Sequence, residues 1–191
     1  GVQTCALPIS DLVITARKVE DLAASRSSLE THGHRVIPLA LDLRSETSIH
    51  DCAAAAIREA GAIDILVNNA GCNIRKPAVE VTWEDWNTIL DTNLRGTFFM
   101  AQAMARHMIP RKKGRIVNIG SVTSVFGYAG LTPYSASRGG VKQMTMSLAD
   151  DLGPHGITVN CLAPGWFRTA QNDVMYRDPE WIAYLTERIP L

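Results

Sequence analysis

The sequence has no excess of charge of either sign: nineteen lysines and arginines balance nineteen aspartates and glutamates. This balance argues against a protein that binds nucleic acid through a basic surface, and no run of like charges indicates a disordered tail. The four cysteines form no C-x-x-C pair, which argues against a zinc ribbon and indicates reduced thiols in a cytosolic protein. The five histidines are scattered, so no metal site is predicted.

Two further absences concern glycine spacing and long apolar runs. No two of the fourteen glycines have the spacing G-x-G, which marks the turn that binds dinucleotide phosphates ahead of a helix. Residues 116–137 carry no charge, but this stretch contains Asn118, Pro133 and many hydroxyl side chains. We therefore do not expect it to span a membrane. A length of 191 residues suits one domain or a large part of one.

Short apolar runs alternate with longer segments of helical periodicity along the chain. The runs that predict buried strands are Leu12–Thr15, Arg35–Leu41, Ile63–Val67, Arg115–Ile119 and Thr158–Leu162. The segments that predict helices are Val19–Thr31, Ser45–Ala60, one that starts after Thr82 and runs to about His107, and Tyr134–Leu152. Strand and helix alternation at this spacing predicts an α/β fold: a parallel sheet with helices on both faces.

Polar residues and glycines come directly after four of the predicted strands. Asp42 follows the second strand, Asn68–Gly71 the third, Ser121 the fourth, and Pro164-Gly165 the fifth. In open parallel sheets, ligands bind beyond the carboxyl ends of the strands. These residues therefore predict a ligand site at that edge of the sheet.

Tyr134 and Arg138 are four residues apart in a helical segment, so their side chains share one helix face. The positive charge of Arg138 would stabilise a phenolate at Tyr134, which makes this pair a candidate acid/base. The alternative is a surface helix that carries the two residues by chance.

These features, taken in order, resemble the short-chain dehydrogenase/reductase family. The matching motifs are NNAG at Asn68–Gly71, Asn93 in DTNLRG, Ser121 in IVNIGS, YSASR from Tyr134, Asn160, and PGWFRT at Pro164–Thr169. The resemblance covers residues 11–191 and implies a Rossmann-like doubly wound domain. It also implies hydride transfer between a nicotinamide cofactor and a carbonyl or secondary alcohol, in a cytoplasmic homo-oligomer such as a homotetramer.

The resemblance also implies a role for each matching residue. Tyr134 would be the general acid/base, Ser121 would orient the substrate oxygen, Asn93 would hold a water in a proton relay, and Arg138 would bind the ribose hydroxyls. For Asn93 the alternative is the satisfaction of backbone groups. The residues expected to bind the cofactor are Arg17, Asp42, Leu43, Asn69, Ala70, Gly71, Tyr134, Arg138, Pro164, Gly165 and Thr169.

The chain departs from the family pattern in three places. Arg138 stands where the family has lysine, and arginine keeps the charge but cannot pass a proton. Residues 1–10 replace the family's first strand and glycine-rich turn; we interpret them as translated adapter sequence, with a divergent native terminus as the alternative. The chain also stops at Leu191, ahead of the family's last strand. We therefore expect an internal fragment that binds cofactor poorly and is inactive by itself.

Cofactor and substrate preferences are indicated by single residues. Arg17 and Lys18, just after the first predicted strand, form a basic pair that suits a 2′-phosphate and favours NADP(H) over NAD(H), with a solvated turn as the alternative. The chain is most similar to sugar and sugar-acid dehydrogenases of the gluconate 5-dehydrogenase and glucose 1-dehydrogenase kinds. Arg75 would pair with a sugar-acid carboxylate, or would be an exposed loop charge, and Trp166 would wall the substrate pocket. Trp83 and Trp86 are expected to pack a helix onto the core.

Two other functions remain open from the sequence. One is the reduction of a 3-oxoacyl thioester. The other is a non-catalytic protein that binds a dinucleotide, an interpretation that the arginine at position 138 favours.

Overall fold

The computed structural model describes residues 10–168 and 173–188. In these ranges five parallel strands form two sheets, one of β1 and β2 and one of β3, β4 and β5 in that order. The strands are β1 (Leu12–Ala16), β2 (Val36–Ala40), β3 (Ile65–Asn68), β4 (Gly114–Ile119) and β5 (Ile157–Leu162). All five predicted strands are confirmed to within two residues at each end, because each is a short run of branched apolar residues.

Helices connect the strands and flank the sheets, which confirms the predicted Rossmann-like α/β class. They are α1 (Ala23–Glu30), α2 (Glu46–Ala60), α3 (Trp83–Leu90), α4 (Gly96–Met108), α5 (Thr132–Leu152) and α6 (Pro179–Arg188). Within the described residues, a single π-helical turn over Asp91–Arg95 joins α3 to α4. The predicted helix over Val19–Thr31 begins instead with a 3₁₀ turn at Val19–Leu22.

Local sequence explains where the main helices begin and end. The Ser45 hydroxyl caps α2 by accepting a hydrogen bond from the Ser48 N–H, and Gly61 ends that helix with a φ of 79°. Thr82 and Asp85 form a reciprocal capping box at the start of α3. The Lys76 ammonium lies 2.7 Å from the Asp85 carboxylate and, together with the capping bonds, lowers the pKa of Asp85 to about 2.

The main core lies between α2, α4, α5 and the β3–β4–β5 sheet. Its most buried side chains include Ala101, Met108 and Ile116, each with no exposed surface. Burial of a side chain the size of Ile116 contributes about 1.5–3 kcal/mol. Burial also raises the pKa of the Cys52 thiol to about 11, which keeps this thiol protonated and unreactive.

The cysteines and the tryptophans of α3 differ in how well the structure agrees with the sequence-based expectations. The three cysteines in the described part of the chain, Cys52, Cys72 and Cys161, are free thiols, as expected. The expectation that Trp83 packs onto the core is wrong, because this side chain is 84% exposed at the start of α3, and Trp86 is 40% exposed. Both indoles border an open apolar groove between the starts of α3 and α5.

The prediction of a non-native terminus concerns residues 1–10, and all of these except Ser10 lie outside the described ranges. None of the described helices is long and apolar enough to cross a bilayer. Among the described residues, no three or more histidine, cysteine, aspartate or glutamate side chains cluster as metal ligands would.

Candidate active site

Ser121 lies just beyond the carboxyl end of β4 and is 9% exposed. Its Oγ accepts a hydrogen bond of 3.1 Å from the Thr123 N–H, at the start of a short 3₁₀ turn. No acceptor for the Ser121 hydroxyl proton lies within hydrogen-bond distance in the described residues. The hydroxyl therefore has a fixed oxygen and a proton that can be donated to a ligand.

Arg138 is buried in the second turn of α5, with 6% of its surface exposed. Its guanidinium carbon lies 5.1 Å from the centroid of the Tyr134 ring, and its Nη1 donates a 2.8 Å hydrogen bond to the Ile119 carbonyl at the end of β4. Its Nε has no partner, and no carboxylate lies within 4 Å in the part of the chain that the structure describes. Arg138 is thus a buried cation at the site and not a surface charge.

Asn93 lies in the π-helical turn and has no exposed surface. Its Oδ1 accepts from the Cys72 N–H at 2.8 Å, and its Nδ2 donates to the Cys72 carbonyl at 2.9 Å and to Ser137 Oγ at 3.1 Å. The extra residue of a π turn rotates the side chains that follow it, and such turns are frequent at functional sites. Here the π turn carries the Asn93 amide, which connects the loop after β3 to α5 through its hydrogen bonds to Cys72 and Ser137.

Two serines, the half-buried Ser124 and the fully buried Ser137, connect the candidate catalytic residues. Ser124 Oγ accepts from the Ser121 N–H and donates to the Arg138 carbonyl at 2.8 Å. Ser137 Oγ accepts from Asn93 and donates to the Tyr134 carbonyl at 2.7 Å. Sequence reasoning did not single out either serine. The only signal is a hydroxyl residue one turn from each candidate, which is too common to be informative.

The loop Asn69–Gly71 is exposed and passes close to these residues. A Cβ on Gly71 would overlap the Arg138 guanidinium and would lie 3.1 Å from Asn93 Oδ1. Only glycine therefore lets this loop approach the buried cation so closely. Asn93, Ser121, Tyr134, Arg138 and the loop are brought together at one edge of the sheet.

A family profile described as short chain dehydrogenase matches residues 3–180. The chain belongs to the short-chain dehydrogenase family. Its similarity to individual members is substantial: it is 40% identical to the gluconate 5-dehydrogenase of Gluconobacter oxydans (strain 621H), over 95% of this chain and 71% of that protein. It is 33% identical to the 5-keto-D-gluconate 5-reductase of Escherichia coli (strain K12), over 90% of this chain and 70% of that protein.

A solved structure of the short-chain dehydrogenase family superposes closely on the chain. It is the gluconate 5-dehydrogenase of Burkholderia cenocepacia J2315, crystallised in complex with NADP and tartrate. The TM-score is 0.88 with 35% identity, over 93% of this chain and 70% of the other. The Rossmann-like fold and the oxidoreductase class are thereby established for this member of the family.

The segment that follows β5 borders the same edge of the sheet. It contains three of the predicted cofactor and substrate residues, Pro164, Gly165 and Trp166. The Gly120 N–H donates to the Leu162 carbonyl at 2.7 Å, and the Val122 N–H donates to the Pro164 carbonyl at 3.2 Å. Pro164-Gly165 therefore runs beside Ser121, and the next residue, Trp166, packs edge-on against Tyr128 at 5.6 Å. Thr169 lies outside the described residues.

The other predicted cofactor residues lie at the ends of β1 and β2. Asp42 Oδ1 accepts a hydrogen bond from the Arg44 N–H at 2.9 Å, and this bond is the main cause of the lowered pKa of Asp42. The positive charge of Arg17 lowers the pKa of Asp42 to a smaller extent. Arg17 is exposed directly after β1. The Leu43 side chain is 9% exposed and belongs to the main core, while its carbonyl lies against Gly96. No contact in the described residues links these three to Tyr134.

The described residues fit one end of a nicotinamide dinucleotide. The buried cation of Arg138, with an unpartnered Nε, and the space left by Gly71 suit ribose hydroxyls. The sequence has no G-x-G turn to cradle the phosphates. The groups that the structure brings together are therefore a phenol, a hydroxyl and a buried cation, which suit the nicotinamide and ribose end of such a cofactor.

Proposed function

We propose that this protein catalyses NADP(H)-dependent interconversion of a secondary alcohol and a carbonyl on a sugar acid. The observation that carries the proposal is the link from Ser121 through Ser124 to the α5 turn that bears Tyr134 and Arg138. An orienting hydroxyl, a phenol and a fixed cation on one sheet edge are the groups that a carbonyl reduction requires. The names of the relatives, gluconate 5-dehydrogenase and 5-keto-D-gluconate 5-reductase, support a sugar-acid substrate.

In this mechanism Tyr134 donates its phenolic proton to the carbonyl oxygen on reduction and takes a proton from the alcohol on oxidation. Ser121 donates a hydrogen bond to the same oxygen, because the Thr123 N–H occupies the acceptor side of its hydroxyl. When bound, the nicotinamide cofactor supplies or accepts the hydride. Arg138 holds the ribose hydroxyls and lies over the face of the Tyr134 ring, which keeps the phenol in place.

The proposed proton relay constrains how Asn93 can hold a water. Both protons of its amide nitrogen are donated, to Cys72 and to Ser137, and its oxygen accepts from Cys72. The amide therefore has little capacity left for a water. We assign the water contact to the Asn93 main-chain carbonyl, which also accepts from Thr97 Oγ1 at 2.8 Å.

NADP(H) is the cofactor that we favour, on two grounds. Arg17 is exposed at the carboxyl end of β1, where a 2′-phosphate would need a cation, and a related gluconate 5-dehydrogenase was crystallised with NADP. We expect Arg17→Ala to weaken NADPH binding about tenfold and to leave NADH binding within about twofold. Arg58→Ala, at an exposed position on α2, is the matched control for loss of one exposed arginine.

Arg75 is the residue that we assign to the substrate carboxylate. Its side chain is exposed on the segment that follows the Asn69–Gly71 loop. The tartrate complex of the related gluconate 5-dehydrogenase supports a hydroxy acid as ligand. A planar guanidinium can bind a carboxylate through two parallel hydrogen bonds, which gives orientation as well as affinity.

The missing G-x-G turn leads us to propose that residues 1–191 alone bind dinucleotide weakly and turn over substrate poorly. Calorimetry with NADPH tests this directly. Tight binding by this exact chain would contradict it, because the backbone N–H groups of that turn normally supply most of the phosphate contacts.

Turnover by the full-length protein tests the function. We expect NADPH absorbance to fall on addition of 5-ketogluconate, and NADP⁺ to be reduced on addition of gluconate. A 3-oxoacyl thioester is the competing substrate in the same assay. NADPH binding without oxidation by any carbonyl would instead favour a non-catalytic dinucleotide-binding protein, which is the role that the unusual Arg138 suggests.

A further inference from the structure

The Arg75 guanidinium is held against an aromatic ring and not against an acid. Its guanidinium carbon lies 5.2 Å from the centroid of Tyr128, and its Nη1 lies 3.7 Å from the sulfur of Met175. No carboxylate lies within 4 Å of Arg75 in the described residues. A cation over a ring face is held in place while its positive charge remains available, whereas an ion pair would neutralise it.

Tyr128 is itself fixed by an aromatic cluster that joins three segments of the chain. Its ring packs edge-on against Trp166 at 5.6 Å and against Tyr184 at 5.8 Å. Trp166 packs on Trp181 at 5.4 Å, and Trp181 packs on Tyr176 at 4.9 Å. The ring under Arg75 therefore belongs to a unit that includes the loop after β5 and helix α6.

The backbone near Arg75 is tied to the turn that precedes α5. The Lys76 N–H donates to the Gly130 carbonyl at 3.2 Å, and a Cβ on Gly130 would lie 3.3 Å from Arg75 Cγ. Gly130 lies four residues before Tyr134. The Lys76 ammonium is also paired with Asp85 at 2.7 Å. Arg75 is thus anchored at its backbone near the acid/base and at its guanidinium on Tyr128.

We propose that Tyr128 is a positioning residue that holds the Arg75 guanidinium ready to bind a substrate carboxylate, and thereby sets the preference for acids over neutral polyols. This inference rests on the proposed function, since it names how that site recognises its substrate. An unrestrained exposed arginine loses side-chain entropy when it binds a ligand. Stacking on Tyr128 removes part of that loss before the substrate arrives.

The experiment compares gluconate with glucitol, its neutral analogue, on the full-length protein with NADPH bound. Dissociation constants come from saturation-transfer NMR of this unreactive NADPH complex, and KM and kcat for gluconate come from its oxidation in a separate assay with NADP⁺. We expect Tyr128→Leu to weaken gluconate binding and raise its KM roughly fivefold, with kcat and glucitol binding within about twofold of wild type. Tyr128→Phe keeps the ring face, so both ligands should bind as in wild type.

Tyr176→Leu is the matched control, because Tyr176 also lies beneath an arginine, Arg168 at 5.8 Å, and also packs on Trp181. This variant disturbs the cluster without removing the ring under Arg75, so gluconate selectivity should persist. Circular dichroism checks that Tyr128→Leu folds, and Tyr128→Met, with a longer and more adaptable side chain, is the second variant if it does not.

Other outcomes separate this inference from the proposed function. If Arg75→Leu abolishes the preference for gluconate but Tyr128→Leu does not, Arg75 binds the carboxylate unaided and the role of Tyr128 is overturned. If Arg75→Leu has no effect while gluconate is still oxidised, both assignments are wrong and the dehydrogenase function stands. If the wild-type protein neither binds nor oxidises gluconate, the proposed substrate itself is wrong.

Discussion

Arg138 covers the face of the Tyr134 ring one helical turn away, with its guanidinium carbon 5.1 Å from the ring centroid. The same guanidinium donates to the Ile119 carbonyl, so it joins the start of α5 to the end of β4. The phenol and the cation are therefore one fixed unit. Its position depends on the strand as much as on the helix.

Tyr134→Phe should abolish turnover in the full-length protein while leaving the fold intact. The change removes only the phenolic oxygen, which is the proposed proton donor, and keeps the ring beneath Arg138. A loss of a hundredfold or more in kcat is expected, since positioned acid/base groups contribute about 10²–10⁴-fold. Tyr176→Phe is the control, and a Tyr134→Phe protein with most of its activity would disprove the assignment.

Arg138→Lys should lower turnover, even though lysine is the residue that the family usually has here. Lysine keeps the charge, but its ammonium cannot at once stack on Tyr134 and donate in the guanidinium geometry to Ile119. Loss of one charge-assisted hydrogen bond predicts a decrease of about tenfold in kcat/KM for NADPH-dependent reduction. An increase in turnover would mean instead that arginine is a defect at this position.

Gly71→Ala should destabilise the protein by about 1–3 kcal/mol, because the added Cβ would overlap the buried Arg138 guanidinium. Gly139→Ala is the matched control. A Cβ at Gly139 meets nothing within 4 Å inside α5, so alanine should stabilise that helix by up to about 1 kcal/mol. Urea unfolding followed by tryptophan fluorescence measures both. Equal effects of the two substitutions would contradict the close approach at Gly71.

Stability should fall as the pH drops below the ordinary histidine value of 6.5, partly because of His107. Its Nε2 accepts from the Ile63 N–H at 3.2 Å and lies 3.2 Å from Arg111 Nη1, so the folded state needs neutral imidazole. Burial, followed by the charge of Arg111, lowers the pKa of His107, while Asp64 opposes this effect. Below pH 6.5 the unfolded chain therefore binds a proton at His107 that the folded chain does not yet bind. The free energy of unfolding falls as the pH decreases from 6.5 to the lower pKa of the folded state.

His107→Gln tests this pH dependence, because glutamine offers an acceptor but does not titrate. Urea unfolding at about pH 7.5 and 5.5 should show a smaller difference between the two pH values for this variant than for wild type. His155→Gln, at an exposed position, should behave as wild type. An unchanged difference for His107→Gln would show that other groups carry the acid sensitivity.

Most of the secondary structure was predictable from local pattern. Five apolar runs gave the strands, and the Thr82 cap and Gly61 gave helix ends, since these features depend on neighbouring residues alone. The π turn at Asp91–Arg95 was not predictable, because one inserted residue leaves the apolar periodicity of a long helix almost unchanged. The division into two sheets was missed because strand order depends on contacts that are distant in sequence.

The sequence predicted which side chains form the candidate site, but it did not predict the hydrogen bonds and ring contacts that connect them. Tyr134, Ser121 and Asn93 follow recognisable motifs, whereas Ser124 and Ser137 matter only through the groups they bridge. Tyr128 is separated from Trp166 and Tyr184 by dozens of residues, and no spacing rule pairs them. The exposure of Trp83 was mispredicted because a helical pattern identifies an apolar side chain without identifying what covers it.

Strand β3 is an outer strand of its sheet in the described part of the chain, and Ile65 and Val67 on its surface are 59% and 54% exposed. An outer strand with free backbone groups and branched apolar side chains is a template for pairing with other molecules. Preparations of residues 1–191 should therefore aggregate with rising concentration. A charged substitution such as Val67→Lys is the simplest means of keeping them in solution for calorimetry with NADPH.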